Sequence, residues 1–336
     1  MDLLTQVRLT RELVDIDSTT GREGAAGAAL ARMLRALGYR VIEQPVSEGR
    51  FNVYASIGQP AVVFSTHFDC VPPFFPSREE SGRIYGRGAC DAKGIAIAQM
   101  AAAEQLRASG VTDIGLLFVV GEERGSDGAK VANTLAPGSS RFLINGEPTD
   151  LRLARATRGV YRSRLHASGR AAHSSQPELG ESAVEKLVDA IVALRAVEWP
   201  SDPDLGTTYY TVGVIKGGVA PNVIPASAEA EVLFRTVSGH AGILQRLEAA
   251  VTPLVSVEEV HIVPPVRLAT VPGFDTAVFN FTTDVPFLDR WGAPLLIGPG
   301  SINVAHTADE YIDIGELQRA VELYAQLAKG LVNGHS

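Results

Sequence analysis

The first half of the chain alternates short apolar runs with helical segments, and each apolar run stops at an acid or a histidine. Ala61 to Thr66 leads into His67-Phe68-Asp69, Ile114 to Val120 into Glu122-Glu123, and Phe142 to Ile144 into Glu147. Continuous apolar runs of this length read as strands covered on both faces. Between them, residues 22–37 carry apolar positions at helical spacing and stop at Gly38, residues 39–46 read as a strand, and the Ala-rich segment 92–109 reads as a helix ending before Gly110. This order predicts an α/β domain with a mostly parallel sheet, whose ligands collect beyond the carboxyl ends of the strands. His67, Glu122, Glu123 and Glu147 all fall there.

The pattern changes after about Arg155. Residues 160–168 alternate, 182–197 form one amphipathic helix, 208–215 and 226–235 read as strands, and 240–251 as a second helix. That is the β-α-β-β-α-β order of a small ferredoxin-like α+β layer. A short apolar run at 295–298, a Gly-Pro-Gly loop, His306 and a helix over 315–331 then return the chain to the first domain. The expected organisation is a catalytic domain from 1–156 and 267–336, interrupted by an inserted lid domain at 157–266.

At 336 residues the chain is long for a single core, which favours two domains. The net charge of −8 argues against a nucleic-acid partner, because phosphate binding needs a basic face. The start Met1-Asp2-Leu3-Leu4-Thr5 lacks the pattern of a secretory signal, and no apolar run is long enough to span a bilayer, so the expectation is a cytoplasmic protein without a membrane partner. Two cysteines, Cys70 and Cys90, are too few for a disulfide framework; neither sits in a nucleophile motif, and both read as packing residues.

The acids and histidines suffice for two divalent metal ions and metal-assisted hydrolysis. Two adjacent ions need a bridging carboxylate and about two further ligands each, with open positions for water and substrate. Asp91 is the expected bridge, with His67 and Glu147 completing one set and Glu123 and His306 the other. Glu122 precedes a ligand and is the expected general base. Asp69 is expected to orient the His67 ring through its second nitrogen. Taken singly, a His-x-Asp at a strand end is usually a polar turn and a Glu-Glu pair a solvated face. Five such deposits at successive strand ends are hard to explain as independent surface choices.

These residues, with Gly86-Arg87-Gly88 before Asp91, Lys93-Gly94 after it, Gly146-Glu147-Pro148, Ala172-His173-Ser174 and His306-Thr307-Ala308-Asp309-Glu310, resemble the co-catalytic metal amidohydrolases. That family contains acetylornithine deacetylase, succinyl-diaminopimelate desuccinylase, aminoacylase and carboxypeptidase G. The resemblance spans nearly the whole chain. It implies two bound zinc ions, with cobalt or manganese as substitutes, and a homodimer formed through the lid. It also implies that His173 stabilises the tetrahedral oxyanion, often from the partner subunit, that Arg235 grips the substrate carboxylate, and that Asn222 lies near the same group. On physical grounds alone, His173 reads as a turn cap or surface group, Arg235 equally as a surface ion pair or a clamp on an anionic substrate, and Asn222 as a turn former. Ala92 departs from the family, where Met or Asp commonly follows the bridging acid.

The activity expected from the resemblance is hydrolysis of an N-acyl, N-acetyl in particular, amino acid. Acetylornithine, acetylcitrulline or acetyl-lysine, in arginine or lysine biosynthesis, are the expected substrates. A dipeptidase, a carboxypeptidase or a desuccinylase is the enzymic alternative, and a non-catalytic metal- or amino-acid-binding relative is the alternative of another class. Thr282-Thr283-Asp284, just before the returning strand, are expected to line the side-chain pocket.

Overall fold

The structure is a computed structural model that describes residues 1–332 and 334. The chain divides into two compact units. The first comprises residues 1–155, 268–277 and the described chain from 283 onward; the second comprises 156–267 and 278–282.

In chain order the first unit supplies α1 (Leu3–Val14), α2 (Gly24–Ala36), β1 (Arg40–Ser47), β2 (Arg50–Ser56), β3 (Val62–His67), α3 (Gly94–Ala108), β4 (Ile114–Val119), α4 (Asp127–Ala132) and β5 (Phe142–Asn145). The second supplies β6 (Gly159–Ser168), α5 (Ala183–Ala193), β7 (Tyr209–Gly217), β8 (Ser227–Thr236), α6 (His240–Val251) and β9 (Ser256–Val263). The chain then adds β10 (Ala293–Leu296) and α7 (Ile314–Val332) to the first unit.

The main sheet of the first unit has the order β1-β2-β4-β3-β5-β10. β3 runs parallel to β4 and β5, and β10 runs parallel to β5, whereas β1–β2 and β2–β4 are antiparallel. The sheet is therefore mixed, with its parallel half at β4-β3-β5-β10. Four strands running one way bring their carboxyl ends to one edge, where His67 ends β3 and the following loops carry Glu122-Glu123, Glu147 and His306.

Every residue of β3 and β4 is buried. Alternate side chains serve opposite faces: Phe64, Leu116 and Phe118 join the core under α2, α3 and α7, while Val63, Leu117 and Val119 pack with Tyr54, Leu143 and Trp291 on the other side. With both faces covered there is no polar alternation, which is why these strands read as continuous apolar runs. Each fully buried large side chain contributes about 1.5–3 kcal/mol by leaving water. β2 carries no apolar run to announce it. Its polar Asn52 is wholly buried because its amide donates to Gln44 Oε1 and the Gly128 carbonyl, and its Oδ1 accepts from the Val120 amide.

α3 is buried around most of its circumference, its alanines lying against the sheet and α7. Tyr324 of α7 meets Phe64 edge-on with centroids 5.5 Å apart, and its hydroxyl donates to the Ile297 carbonyl at 2.7 Å. That bond anchors the segment that follows β10 and leads to His306.

The second unit is an antiparallel sheet of order β7-β8-β6-β9. With α5 and α6 this is the ferredoxin-like arrangement. β8 alternates strictly between buried and partly exposed residues, as a sheet covered on one face requires. Ser182 caps α5 by accepting from the Glu185 amide. β7 is an edge strand, and Ile215 on it, Val219 just beyond it, and Val188 and Val192 on α5 are at least half exposed. Among the described residues, no helix is long and apolar enough to cross a membrane.

Candidate metal centre

His67 ends β3 and is buried; Glu147 follows β5 and is buried; Asp91 sits in the turn before α3. Glu122 and Glu123 occupy a single turn of 3₁₀ helix after β4. The chain enters that turn through Gly121 at φ +78°, a conformation that favours glycine, and a Cβ there would displace the Asp127 carboxylate. His306 also has a positive φ, +64°, which a residue with a Cβ adopts at a cost.

These elements bring two trios together, His67, Asp91 and Glu147, and Asp91, Glu123 and His306, with ligand atoms in each trio within 4.8 Å of one another. Asp91 belongs to both. Its Oδ1 is 2.9 Å from His67 Nε2, and its Oδ2 is 3.3 Å from His306 Nε2. His67 Nε2 is 3.9 Å from Glu147 Oε2, and His306 Nε2 is 3.0 Å from Glu123 Oε1.

The His67 ring is held at Nδ1, 3.1 Å from the Asp69 carbonyl and 3.4 Å from Asp69 Oδ1. The Asp69 carboxylate does more than face the ring. Its oxygens accept from the Glu122 amide at 3.1 Å, the Glu123 amide at 3.3 Å and the Thr20 hydroxyl at 2.8 Å. Asp69 thus fixes the backbone of the Glu122-Glu123 turn against the end of β3. Thr20 had no signal in the sequence beyond a polar Ser18-Thr19-Thr20-Gly21 turn, because its partner lies 49 residues away. Asp284 is buried in the first unit with neither carboxylate oxygen in a hydrogen bond. Its pKa is pushed up to about 7, chiefly by burial, with the charge of His67 opposing.

The site is crowded with negative charge. Burial raises the pKa of Glu122 well above the usual carboxylate range, and Glu147 adds to it. Glu147 is raised likewise, by burial first, with His67 opposing. Asp91 is held low despite its burial, because hydrogen bonds from His306 and His67 favour its ionised form. Burial pulls the His67 pKa down, yet Asp69 and Asp91 outweigh it and leave it raised. The contacts of His306 with Asp91 and Glu123 push it up to about 10.

Three features fit a pair of divalent cations. One carboxylate presents its two oxygens to different imidazoles; Glu147 Oε1 is buried without a hydrogen-bond donor; and the donor set is nitrogen and oxygen with excess negative charge.

The residues predicted in the inserted segment lie in the second unit. His173 is exposed, and the Ser175 amide donates to its Nδ1 at 3.2 Å, so the ring proton resides on Nε2. Asn222 adjoins it, its carbonyl accepting from the Ser174 amide at 3.0 Å. Arg235 is on β8 opposite Tyr209, and burial lowers its pKa with Tyr209 opposing.

A mixed α/β sheet bearing a paired acid and imidazole centre at its carboxyl edge defines a dinuclear metallohydrolase type of site. Residues 63–330 match the model of peptidase family M20/M25/M40, and the chain belongs to that family. It is a metal-dependent hydrolase of the family. A probable carboxypeptidase of Aspergillus clavatus is 38% identical over 365 residues, covering 95% of this chain and 81% of the relative. The aminopeptidase PepT of Bacillus cereus has the same fold, with TM-score 0.83 at 18% identity and 99% of each chain covered. So does YXEP of Bacillus subtilis, described as a dinuclear metal binding peptidase, with TM-score 0.74 at 14% identity and 98% of each chain covered.

Metal binding should release protons. The carboxylates beside His306 and His67 favour the protonated imidazoles in the metal-free protein, raising the His306 pKa to about 10 and His67 above its usual value, and a ligand must lose its proton to bind. Adding Zn2+ or Mn2+ to metal-stripped protein in weak buffer with a pH indicator should acidify the solution until the sites fill. Saturation without acidification would show that the imidazoles are already neutral.

Proposed function

We propose that the protein hydrolyses a linear amide whose nitrogen belongs to an amino acid with a free α-carboxylate, either the last residue of a small peptide or an N-acyl amino acid. The observation that most supports this is the Asp91 carboxylate shared between two ligand trios, with Glu122 beside them and in neither. His67, Asp91 and Glu147 would hold one divalent ion and Asp91, Glu123 and His306 the other, with zinc, cobalt and manganese all suited to the donors. Such ions, when bound, supply Lewis acidity to the scissile carbonyl and to the attacking water.

Glu122 takes the proton of the attacking water and passes it to the leaving nitrogen. Its raised pKa suits a group that must both accept and donate near neutral pH. His173 donates from Nε2 to the oxyanion, the bond from Ser175 having fixed the tautomer. Arg235 grips the α-carboxylate through paired N–H donors, and Asn222 lies near the same group.

The carboxypeptidase name of the similar Aspergillus protein supports peptide substrates. Deacetylation of an N-acetyl amino acid such as acetylornithine, acetylcitrulline or acetyl-lysine is a second reading, which the Gly146-Glu147-Pro148-Thr149 sequence favours over desuccinylation. We further infer that β7 and α5 pair with a second copy, because an edge strand beside exposed Val188, Val192, Ile215 and Val219 is a surface that a monomer seldom leaves open.

A panel of dipeptides and N-acetyl amino acids, each with a free or amidated carboxyl end, tests the substrate class. Turnover confined to free carboxylates is expected; two bound ions with no turnover on any member would contradict the proposal. Glu122→Gln should lower kcat roughly 100- to 10,000-fold with metal content unchanged, and near-normal turnover would mean that another group is the base. For the pairing, Ile215→Asp should convert a dimer into a monomer by light scattering, and a monomeric parent protein would refute it.

A further inference from the structure

Arg87 and Glu310 form a buried ion pair whose charged ends meet the trios only at the backbones of Asp91 and His306. Their side chains are 2% and 0% exposed, and Arg87 Nη1 is 2.5 Å from Glu310 Oε2. The other carboxylate oxygen, Oε1, accepts three backbone amides of one turn: Gly88 at 3.0 Å, Cys90 at 3.2 Å and Asp91 at 3.1 Å. Burying a carboxylate is costly, and here three amides and a guanidinium offset that cost together. The main chain repeats the link, since the Gly86 amide donates to the Glu310 carbonyl at 3.0 Å.

Arg87 extends the pair to two further segments. Its Nε donates to the Pro73 carbonyl at 3.2 Å and its Nη2 to the His306 carbonyl at 3.5 Å, and its guanidinium lies over the Phe75 ring. One pair therefore holds the backbone amide of Asp91 and the backbone carbonyl of His306. These two residues share a trio with Glu123. In the other trio, His67 is the last residue of β3 and Glu147 follows closely on β5, so both are held by the sheet. Asp91 is common to both trios, so what separates them is that the pair also holds His306, whereas the sheet holds His67 and Glu147.

We infer that Arg87 and Glu310 are positioning residues that set the geometry, and hence the affinity, of the trio Asp91, Glu123 and His306, and much less that of His67, Asp91 and Glu147. The inference rests on the two-ion reading above. Through Asp91 the pair also aligns the two trios, so its loss lowers kcat while KM, set by the substrate-gripping residues, stays nearly constant.

The test is calorimetric titration of metal-stripped wild-type protein, Glu310→Gln and Arg87→Lys with Zn2+, with metal content counted after dialysis. Wild type should bind two ions, and fewer than two would overturn the two-ion reading itself. In both variants one ion should bind as in wild type and the other roughly 10- to 100-fold more weakly, the usual effect of losing a group that orients metal ligands. Excess metal should restore part of kcat. Arg87→Lys, which preserves charge balance, decides the matter if Glu310→Gln fails to fold. Two ions bound at wild-type affinity, or both weakened equally alongside a lower melting temperature, would overturn the inference, because a purely structural pair would not distinguish the sites.

Discussion

The Asp91 carboxylate is the interaction on which the rest of the centre depends. It is the one side chain common to both trios, and its oxygens face different imidazoles. If it turned to present both oxygens to one histidine, the remaining groups would make two separate partial sites instead of a paired one. Around it the fold gathers Glu122, Glu123 and Glu147, whose pKa values are raised first by burial, with neighbouring carboxylates adding to it: Glu147 and Glu123 for Glu122, Asp91 for Glu123, and Asp91 and Glu123 for Glu147. Two like charges 4 Å apart repel by about 4 kcal/mol at an effective dielectric near 20. A fold selected for stability alone would not collect them, and the arrangement makes sense when cations complete it.

Different parts of the fold share the work of holding this charge in place. The parallel half of the sheet carries His67 and Glu147 at the ends of fully paired strands. Asp69 fixes the Glu122-Glu123 turn through two backbone amides, and Thr20 holds Asp69. Beyond that turn, Arg50 joins Glu23, at the start of α2, to Asp127, at the start of α4, at 2.7 and 2.5 Å. The Glu122-Glu123 turn is therefore steadied from both sides.

His67, Glu123 and Glu147 were legible because strands buried on both faces leave an uninterrupted apolar signal, and an acid or histidine at its end stands out; Asp91, before α3, and His306, ten residues past β10, have no such strand beside them. The second unit was legible for the opposite reason: β8 is covered on one face and alternates cleanly. What stayed hidden depends on contacts between residues distant in sequence. β2 is concealed by Arg50 and Asn52, polar residues that its partners satisfy from 8 to 77 residues away. The bonds from Asp69 to the Glu122 and Glu123 amides are backbone contacts that no side-chain pattern encodes. Asp69 was expected to set the His67 ring, and its carbonyl and carboxylate do lie at Nδ1, but its tie to the opposite turn emerges only in three dimensions. Glu310 was visible as part of a motif, with nothing in its spacing to connect it to the Asp91 turn 219 residues earlier.

The central claim is that one carboxylate bridges two ions, and the most direct measurement is a crystal structure of the protein loaded with Zn2+ or Mn2+, with anomalous scattering at the metal edge. The account predicts two anomalous peaks, one among His67, Asp91 and Glu147 and the other among Asp91, Glu123 and His306, each within bonding distance of a different Asp91 oxygen. A single peak at saturating metal, or two peaks with Asp91 bound to only one, would contradict it.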